Sequence, residues 1–529
     1  MRIAKPLARA LGAALLAAHL LARAHDDAAA PGRQPEVLGQ VQFQVSCNPA
    51  AQVEFNRAMA LFHSFWFDPA ITSFRHVLEL DPSCGMADWG IAIMSMGNPF
   101  AWPASPKAMA AAAEAAAAAQ RIGAGSARER DYIGTVPAFF GDWESTPHAA
   151  RAKALAASMG AVANRYPNDV EAQILYALLL DATAVPTDKS FANQRKAAAI
   201  LEPLFKQYPD HPGVAHYLIH TYDYAELAEQ GLPAARAYGA IAPSVPHALH
   251  MPSHIYARVG QWQQMIDSNR AAQQAARAEL ADKTVAVRTY DALHSMDYMV
   301  MAELQLGRDQ AARAVVEEVA AIRKVNAENF PAAYAFAAIP SRYALERADW
   351  KQASQLTLSP PDLAWVRFPQ AEAILVFSRG LGEARSGLLQ AARADMARLN
   401  ELRDAMQALA LGYWAQQASV QIDALGAWIA LADRSDDAAL RLMQSAADAE
   451  DASDKHPVTP GNVVPVRALL GELLLELRQP KAALEQFDRS LKRDPNRLRT
   501  IYGAGWAAEM SGDRAAAIGY YEQVGALGA

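Results

Sequence analysis

Small and apolar residues recur along the chain at helical spacing, and the same arrangement returns at intervals of about 34 residues. A first unit places Ala58, Ala70, Phe74 and Val77 where the two helices of a hairpin would meet, with Pro82 after the second helix. Alternating apolar and polar residues, which indicate strands, are scarce. The pattern therefore predicts an all-α chain of stacked helix–turn–helix units. The last two units are the most regular, with equivalent residues at Gly471 and Gly505, Ala483 and Ala517, and Phe487 and Tyr521.

This register resembles the tetratricopeptide repeat (TPR), a 34-residue unit of two helices with small residues where the helices cross. The resemblance implies a right-handed superhelix of helix pairs, in which the first helix of each unit lines a concave groove. It covers most of the chain. The predicted organisation is a signal peptide at 1–24, an extended lead-in at 25–48, TPR-like repeats with an insertion at 49–160, histidine-rich TPR repeats at 161–310, degenerate helical repeats at 311–462 and regular TPR repeats at 463–529.

The N-terminus has the features of an export signal. Basic residues at Arg2, Lys5 and Arg9 precede an apolar stretch, Leu11–Leu21, that is too short to span a membrane. An A-x-A cleavage motif follows at Ala22–Ala24. No later segment has membrane length, so we expect a periplasmic or secreted protein without a membrane span once the signal is removed.

Charge and cysteine content narrow the range of partners and the compartment. The formal net charge is −7 and no basic stripe is present, so a nucleic-acid partner is not expected. A small molecule, a peptide or a protein in the concave groove fits the composition better. The two cysteines, Cys47 and Cys84, lie about one repeat apart. In an oxidising compartment, a disulfide between them is the favoured interpretation over metal ligation.

Histidines are concentrated in one part of the chain, where two HxxxH pairs occur. His216 and His220 are four residues apart, as are His250 and His254, and the pairs are offset by 34 residues. A four-residue spacing puts two imidazoles on one helix face, and an offset of one repeat puts the pairs on neighbouring helices. Since neutral imidazole is the commonest metal ligand, we predict that these four side chains converge on a transition metal. Neither pair has the glutamate of an HExxH zinc-protease motif.

Repeat numbering extends this site to other residues. The residues of each repeat are numbered from the third residue after the proline that ends the repeat before it. His216 and His220 then take positions 5 and 9, and His247 takes position 2 of the next repeat. His247, His294 and Asp297 are predicted as further ligands or acid–base groups. Nearby methionines slightly favour copper over zinc or iron, because thioether is a soft ligand. Candidate groove-lining residues are His63, Asp223, Tyr224, Arg258 and Met301.

The stretches HPGVAHYLIH, PHALHMPSHI and DKHPVTPG also resemble a narrower set of exported bacterial TPR proteins, to which no reaction is attached. Three functions remain open. The first is a metalloprotein that carries out redox or hydrolytic chemistry on a small molecule or peptide. The second is a non-catalytic metal-binding protein for storage or delivery, and the third is a TPR scaffold that binds a peptide or protein. Whether the chain is an enzyme is not decided by its sequence.

Overall fold

The computed structural model describes residues 36–278, 280 and 286–528. The predicted signal peptide lies outside the described residues, as do residues 25–35 of the lead-in. The N-terminal half contains α1 (Pro49–His63), α2 (Phe67–Leu80), α3 (Gly85–Ser95), α4 (Pro106–Ile122), α5 (Ala127–Ile133), α6 (Pro137–Phe140), α7 (His148–Arg165), α8 (Val170–Ala182), α9 (Ala192–Gln207), α10 (Pro212–Tyr222), α11 (Ala228–Ile241), α12 (Pro246–His250), α13 (Pro252–Val259) and α14 (Trp262–Ala278).

The C-terminal half is also helical. It also contains two short strands, β1 (Val287–Arg288) and β2 (Lys324–Val325), which pair with each other in parallel. Short 3-10 helices occur at Pro99–Ala101, in the N-terminal half, and at Trp365–Arg367. The helices are α15 (Tyr290–Gln305), α16 (Asp309–Ala321), α17 (Phe330–Glu346), α18 (Trp350–Ala353), α19 (Pro369–Arg385), α20 (Leu389–Ala408), α21 (Gly412–Ala432), α22 (Asp436–Asp451), α23 (Val466–Glu476), α24 (Pro480–Arg493), α25 (Leu498–Met510) and α26 (Arg514–Gly528).

Neighbouring helices pack in sequence order, which is the arrangement of a helical solenoid. Helix α1 packs on α2, α3 on α4, α23 on α24 and α25 on α26, and each hairpin packs on the next through contacts such as α2 with α3 and α24 with α25. The prediction of an all-α, TPR-type solenoid is confirmed. Within the part of the chain that the structure describes, the helices lack the combination of length and apolar sequence that crossing a bilayer requires.

Close contacts between glycines and aromatic rings hold successive helices together. A methyl group added at Gly471 would lie 2.7 Å from the ring of Phe487, and one at Gly505 would lie 2.7 Å from the ring of Tyr521. Gly90 stands in the same relation to Phe74 in the N-terminal repeats. The small residue therefore lets the helices approach closely enough for the aromatic side chain to fill the gap.

The described end of the lead-in is extended and buries its apolar side chains. Phe43 and Val45 are buried, and side chains of α1 satisfy the backbone around them: Phe43 donates its N–H to Asn56 and Val45 donates to Gln52. A disulfide joins Cys47, just before α1, to Cys84, just before α3. Residues 38–48 are therefore part of the packed N-terminal repeats.

The glycine–aromatic packing predicts opposite effects for two Gly→Ala substitutions. Gly471→Ala should lower the free energy of unfolding by about 1–3 kcal/mol, because the methyl group overpacks against Phe487. Gly519→Ala, in α26, has open space around the new methyl group and should stabilise the helix by up to about 1 kcal/mol. Thermal denaturation followed by circular dichroism measures both, and a Gly471→Ala protein as stable as Gly519→Ala contradicts the packing.

Candidate metal centre

Prolines set the helices that carry the two HxxxH pairs. Pro212 begins α10, which presents His216 and His220 from an entirely buried helix. The second pair was expected on one helix, but Pro252 begins a new one, so His250 lies on α12 and His254 on α13. Proline fits the first turn of a helix because its missing N–H is not needed there. The two imidazoles nevertheless remain neighbours, with ring centroids 5.1 Å apart.

The four histidines of the HxxxH pairs, together with His247 and His294, form two groups of three rather than one four-histidine centre. In each group, one ring nitrogen of every member lies within 4.8 Å of the others. Each HxxxH pair, at positions 5 and 9, is completed by the histidine at position 2 of the following repeat. The first group is His216, His220 and His247, and the second group is His250, His254 and His294.

Hydrogen bonds fix the proton positions in the second group. Asn269 donates its amide N–H to the carbonyl of Met265 at 2.7 Å, so its oxygen faces His250, whose Nδ1–H donates to it at 2.6 Å. His254 donates its Nδ1–H to the carboxylate of Asp223 at 3.0 Å. A neutral imidazole carries one proton, so the Nε2 atom of each ring bears a lone pair. These two Nε2 atoms are 3.2 Å apart.

Two lone pairs at this distance repel one another unless a cation or a donor lies between them. The hydroxyl of Tyr298 lies 3.2 Å from the Nε2 of His254, and its single proton satisfies one of the two nitrogens. A tetrahedral metal ion bound at about 2.0–2.1 Å would hold two ligand nitrogens about 3.3–3.4 Å apart. The observed separation is therefore close to that of two nitrogens sharing one ion.

The first group has a similar arrangement. His216 donates its Nδ1–H to the backbone carbonyl of His63 at 2.6 Å, which leaves its Nε2 bare and 3.3 Å from the Nε2 of His247. His220 is buried and has no hydrogen-bond partner on either ring nitrogen. Its ring stacks on Phe100 at 3.9 Å. An imidazole with both nitrogens buried and unsatisfied is costly, unless one of them binds an ion.

Burial keeps the histidines of both groups uncharged. It lowers the pKa of His216 to about 3 and that of His250 to about 4. Burial, followed by the charges of neighbouring imidazoles, also lowers the pKa of His220 and His247 well below the usual value. Burial and the Lys455 ammonium do the same for His254. Since the neutral ring is the form that binds metal, both groups are ready to act as ligands at neutral pH.

A third cluster, His63, Glu171 and His211, has different chemistry. Glu171 accepts hydrogen bonds from His63 at 2.8 Å and from His211 at 3.0 Å, so both Nε2 atoms carry protons that point at the carboxylate. Burial tends to raise the pKa of Glu171, but the two imidazoles outweigh it and hold that pKa below its usual range. The carboxylate therefore already holds the Nε2 proton of each imidazole, although the Nδ1 of His211 is buried without a hydrogen-bond partner. His63, predicted to line the groove, is instead fully buried and positions His216 through its carbonyl.

Asp223 connects the second group to a distant loop. Besides the hydrogen bond from His254, its carboxylate accepts hydrogen bonds from Arg258 at 2.8 Å and from Lys455 at 2.6 Å. Burial lowers the pKa of the Lys455 ammonium to about 8, against the opposing effect of Asp223. Asp223, predicted to line the groove, thus orients His254, and Lys455 takes part although no sequence pattern pointed to it.

Like His63, Asp223 and Arg258, three further predicted site residues lie outside both groups. Asp297, predicted as a ligand, pairs instead with Arg342 at 2.7 Å. Tyr224 accepts a hydrogen bond from Gln194 at 2.8 Å, and Met301 is buried next to Arg497. Tyr298, Asn269 and Glu171 were not predicted from the sequence. Tyr298 stands four residues after His294, a spacing that marks one helix face, and this was the one signal available.

Comparisons with known proteins give structural matches only, at low sequence identity. No protein-family model and no curated protein matches the chain. A structure described as the APC/C hetero-tetramer Cut9–Hcn1 is 13% identical, with 90% of this chain and 78% of that chain covered and a TM-score of 0.35. A human IFIT1 dimer with PPP-AAAA is 12% identical, with 92% of each chain covered and a TM-score of 0.36. The TPR domain of P58(IPK) is 10% identical, with 88% and 98% covered and a TM-score of 0.21.

The buried neutral histidines predict an acid-sensitive metal-free protein. Their pKa values are lower in the folded than in the unfolded chain, so the folded state binds fewer protons below about pH 6.5 and loses stability as pH falls. Each such histidine costs about 1.4 kcal/mol per pH unit between about pH 6.5 and its folded pKa. Thermal unfolding of the metal-free protein should therefore shift to lower temperature between pH 7 and pH 4.5. An unfolding temperature that stays constant over this range contradicts the assignment of neutral imidazoles.

Proposed function

We propose that this chain is an exported TPR-type metalloprotein whose six histidines bind copper and act on a small molecule. The observation that carries the proposal is the pair of bare Nε2 atoms of His250 and His254, 3.2 Å apart and each fixed by a hydrogen bond at Nδ1. Metal-binding histidines commonly donate their other N–H to a carboxylate, an amide or a backbone carbonyl, which orients the ring. His216, His250 and His254 all do so here.

The ligand set favours copper. Both groups consist of imidazole alone, without a carboxylate or a thiolate. Magnesium and calcium prefer oxygen ligands, and structural zinc sites often include cysteine thiolates. For nitrogen ligands, affinity among divalent first-row metals is highest for copper.

Three protein ligands per ion support a reactive site rather than a purely structural one. Structural zinc sites have four protein ligands, whereas catalytic sites keep one position for water or substrate. His247 and His294, one in each group, are the only members that are not fully buried. A small molecule can therefore approach each group from the side of these two rings.

Export is supported by the basic and apolar N-terminal sequence and by the disulfide between Cys47 and Cys84. N-terminal sequencing of the protein recovered from the periplasm or medium should find His25 as the first residue. An intact Met1 on protein confined to the cytoplasm contradicts the export proposal.

A TPR scaffold that binds a protein partner is the second candidate. The last helix pair exposes apolar side chains that would suit a partner: Tyr502 and Trp506 lie one turn apart on α25, and Ile518 lies on α26. Metal analysis separates the two candidates, since a scaffold with incidental histidines should bind no metal tightly.

Replacing one histidine of a group should remove the metal ion of that group, whereas replacing residues outside both groups should not. His250→Ala should lose the metal of the second group, because one ligand disappears and His254 is left alone with His294. His76→Ala, at an exposed histidine, should keep the wild-type metal content. Glu171→Gln breaks the His63–Glu171–His211 network and should lower the free energy of unfolding by about 1.5–3 kcal/mol without changing the metal content.

Inductively coupled plasma mass spectrometry of the purified proteins, after dialysis against copper, gives the metal per chain. Equal copper in wild type and His250→Ala, with both proteins folded by circular dichroism, rules out the second group as the binding site. Loss of copper in Glu171→Gln would instead assign the ion to the third cluster.

A further inference from the structure

The same three repeat positions carry histidine twice in succession, which implies two ions rather than one. Positions 5 and 9 of one repeat and position 2 of the next supply His216, His220 and His247, and then His250, His254 and His294. One ion cannot accept six imidazoles from two such groups at about 2.0–2.1 Å each. Each group has the three nitrogens that one ion with an open position requires.

The two groups are almost as close to each other as the rings within each group. Ring centroids of His220 and His254, which belong to different groups, are 5.8 Å apart, and those of His247 and His250 are 6.1 Å apart. Within the groups, the corresponding distances are 4.9 Å for His216 and His220 and 5.1 Å for His250 and His254. Two ions held by these rings are therefore neighbours, and a small ligand can bridge them.

The net charge of the buried site determines which oxidation state of copper it favours. All six ligands are neutral imidazoles. Asp223 is already paired with Arg258 and Lys455, and Asp297 with Arg342, while burial and the charge of Asp223 raise the pKa of the unpaired Asp181 carboxyl to about 8. Two divalent ions would bring four positive charges into a buried site without compensation, which is strongly unfavourable. Two copper(I) ions bring two charges, and copper(I) is the softer ion.

We infer that the two histidine groups hold a pair of copper(I) ions that bind one dioxygen between them as peroxide. This inference rests on the proposed copper function. Each copper(I) gives up one electron, dioxygen takes up both, and the product is a peroxide dianion bridging two copper(II) ions. The two negative charges of the peroxide offset the two positive charges that oxidation adds. No proton or further reductant is required, and release of dioxygen returns both electrons to the copper ions.

The side chains around the groups suit such a ligand. Phe65 is buried, with ring centroids 4.5 Å from His216 and 5.8 Å from His247, and Phe100 covers His220. On the other side, the Tyr298 ring lies 4.6 Å from His250 and 5.0 Å from His254. This aromatic surround limits the access of water, which would otherwise protonate and release a bound peroxide.

The test is anaerobic loading of the full-length protein with copper(I), followed by exposure to air. We expect two copper ions per chain, uptake of one dioxygen per two copper ions in an oxygen electrode, and an intense new near-ultraviolet band that disappears under vacuum. The oxidised pair should give no electron paramagnetic resonance signal, because the bridging ligand couples the two copper(II) spins. His294→Ala and His247→Ala should each keep one copper and lose dioxygen uptake, while His76→Ala should behave like the wild type.

The possible failures are distinguishable. A wild-type protein with two copper ions, no dioxygen uptake and the signal of isolated copper(II) overturns this inference and leaves the proposed copper function intact. One copper per chain, unaffected by either His247→Ala or His294→Ala, also overturns it. A wild-type protein that binds no copper overturns the proposed function as well.

Discussion

The packing of each helix pair on the next fixes how far apart equivalent positions of successive repeats lie. In this chain, Gly503 on α25 allows that approach to α24, and Gly90 on α3 allows it to α2; the rings of Phe487 and Phe74 fill the space that remains. Because the interval repeats, a side chain at position 2 of one repeat stands beside positions 5 and 9 of the repeat before it. The histidine groups are a direct consequence, since the chain places histidine at these three positions twice in succession.

Orientation of the rings comes from residues far away in the sequence. The carbonyl of His63, at the end of α1, holds His216 on α10, and Asp223 holds His254 while it pairs with Lys455 from the loop before α23. These bonds leave bare nitrogens facing one another in a buried region, an arrangement that costs free energy in the absence of a cation. The surrounding hydrogen bonds therefore present lone pairs, and under the proposed function a metal ion between these nitrogens removes that cost.

Much of the fold followed from local pattern, because repeat packing is set by residues within about 34 positions of each other. The paired histidines and the offset between His216 and His250 were likewise visible in the sequence. The division of the histidines into two groups was not visible in the sequence, because it depends on which ring of the next repeat comes closest. Asp297 matched the repeat position of a ligand, but Arg342, which neutralises it, lies 45 residues further along the chain.

The Glu171 network was beyond prediction for a similar reason. His63 and Glu171 are separated by 108 residues, and nothing in the local pattern around either one indicates the other. Lys455 is 232 residues from Asp223. Such contacts arise where loops and early repeats close onto the histidine-bearing helices, and only the three-dimensional packing reveals them.

The central claim is that a metal ion lies between the facing imidazoles of the second group. The most direct measurement is anomalous diffraction from a crystal of the copper-loaded protein, recorded at energies above and below the copper absorption edge. The account predicts an anomalous peak about 2.0–2.1 Å from the Nε2 atoms of both His250 and His254. A map without a peak there, with either ring turned to make a direct hydrogen bond to the other, would contradict it.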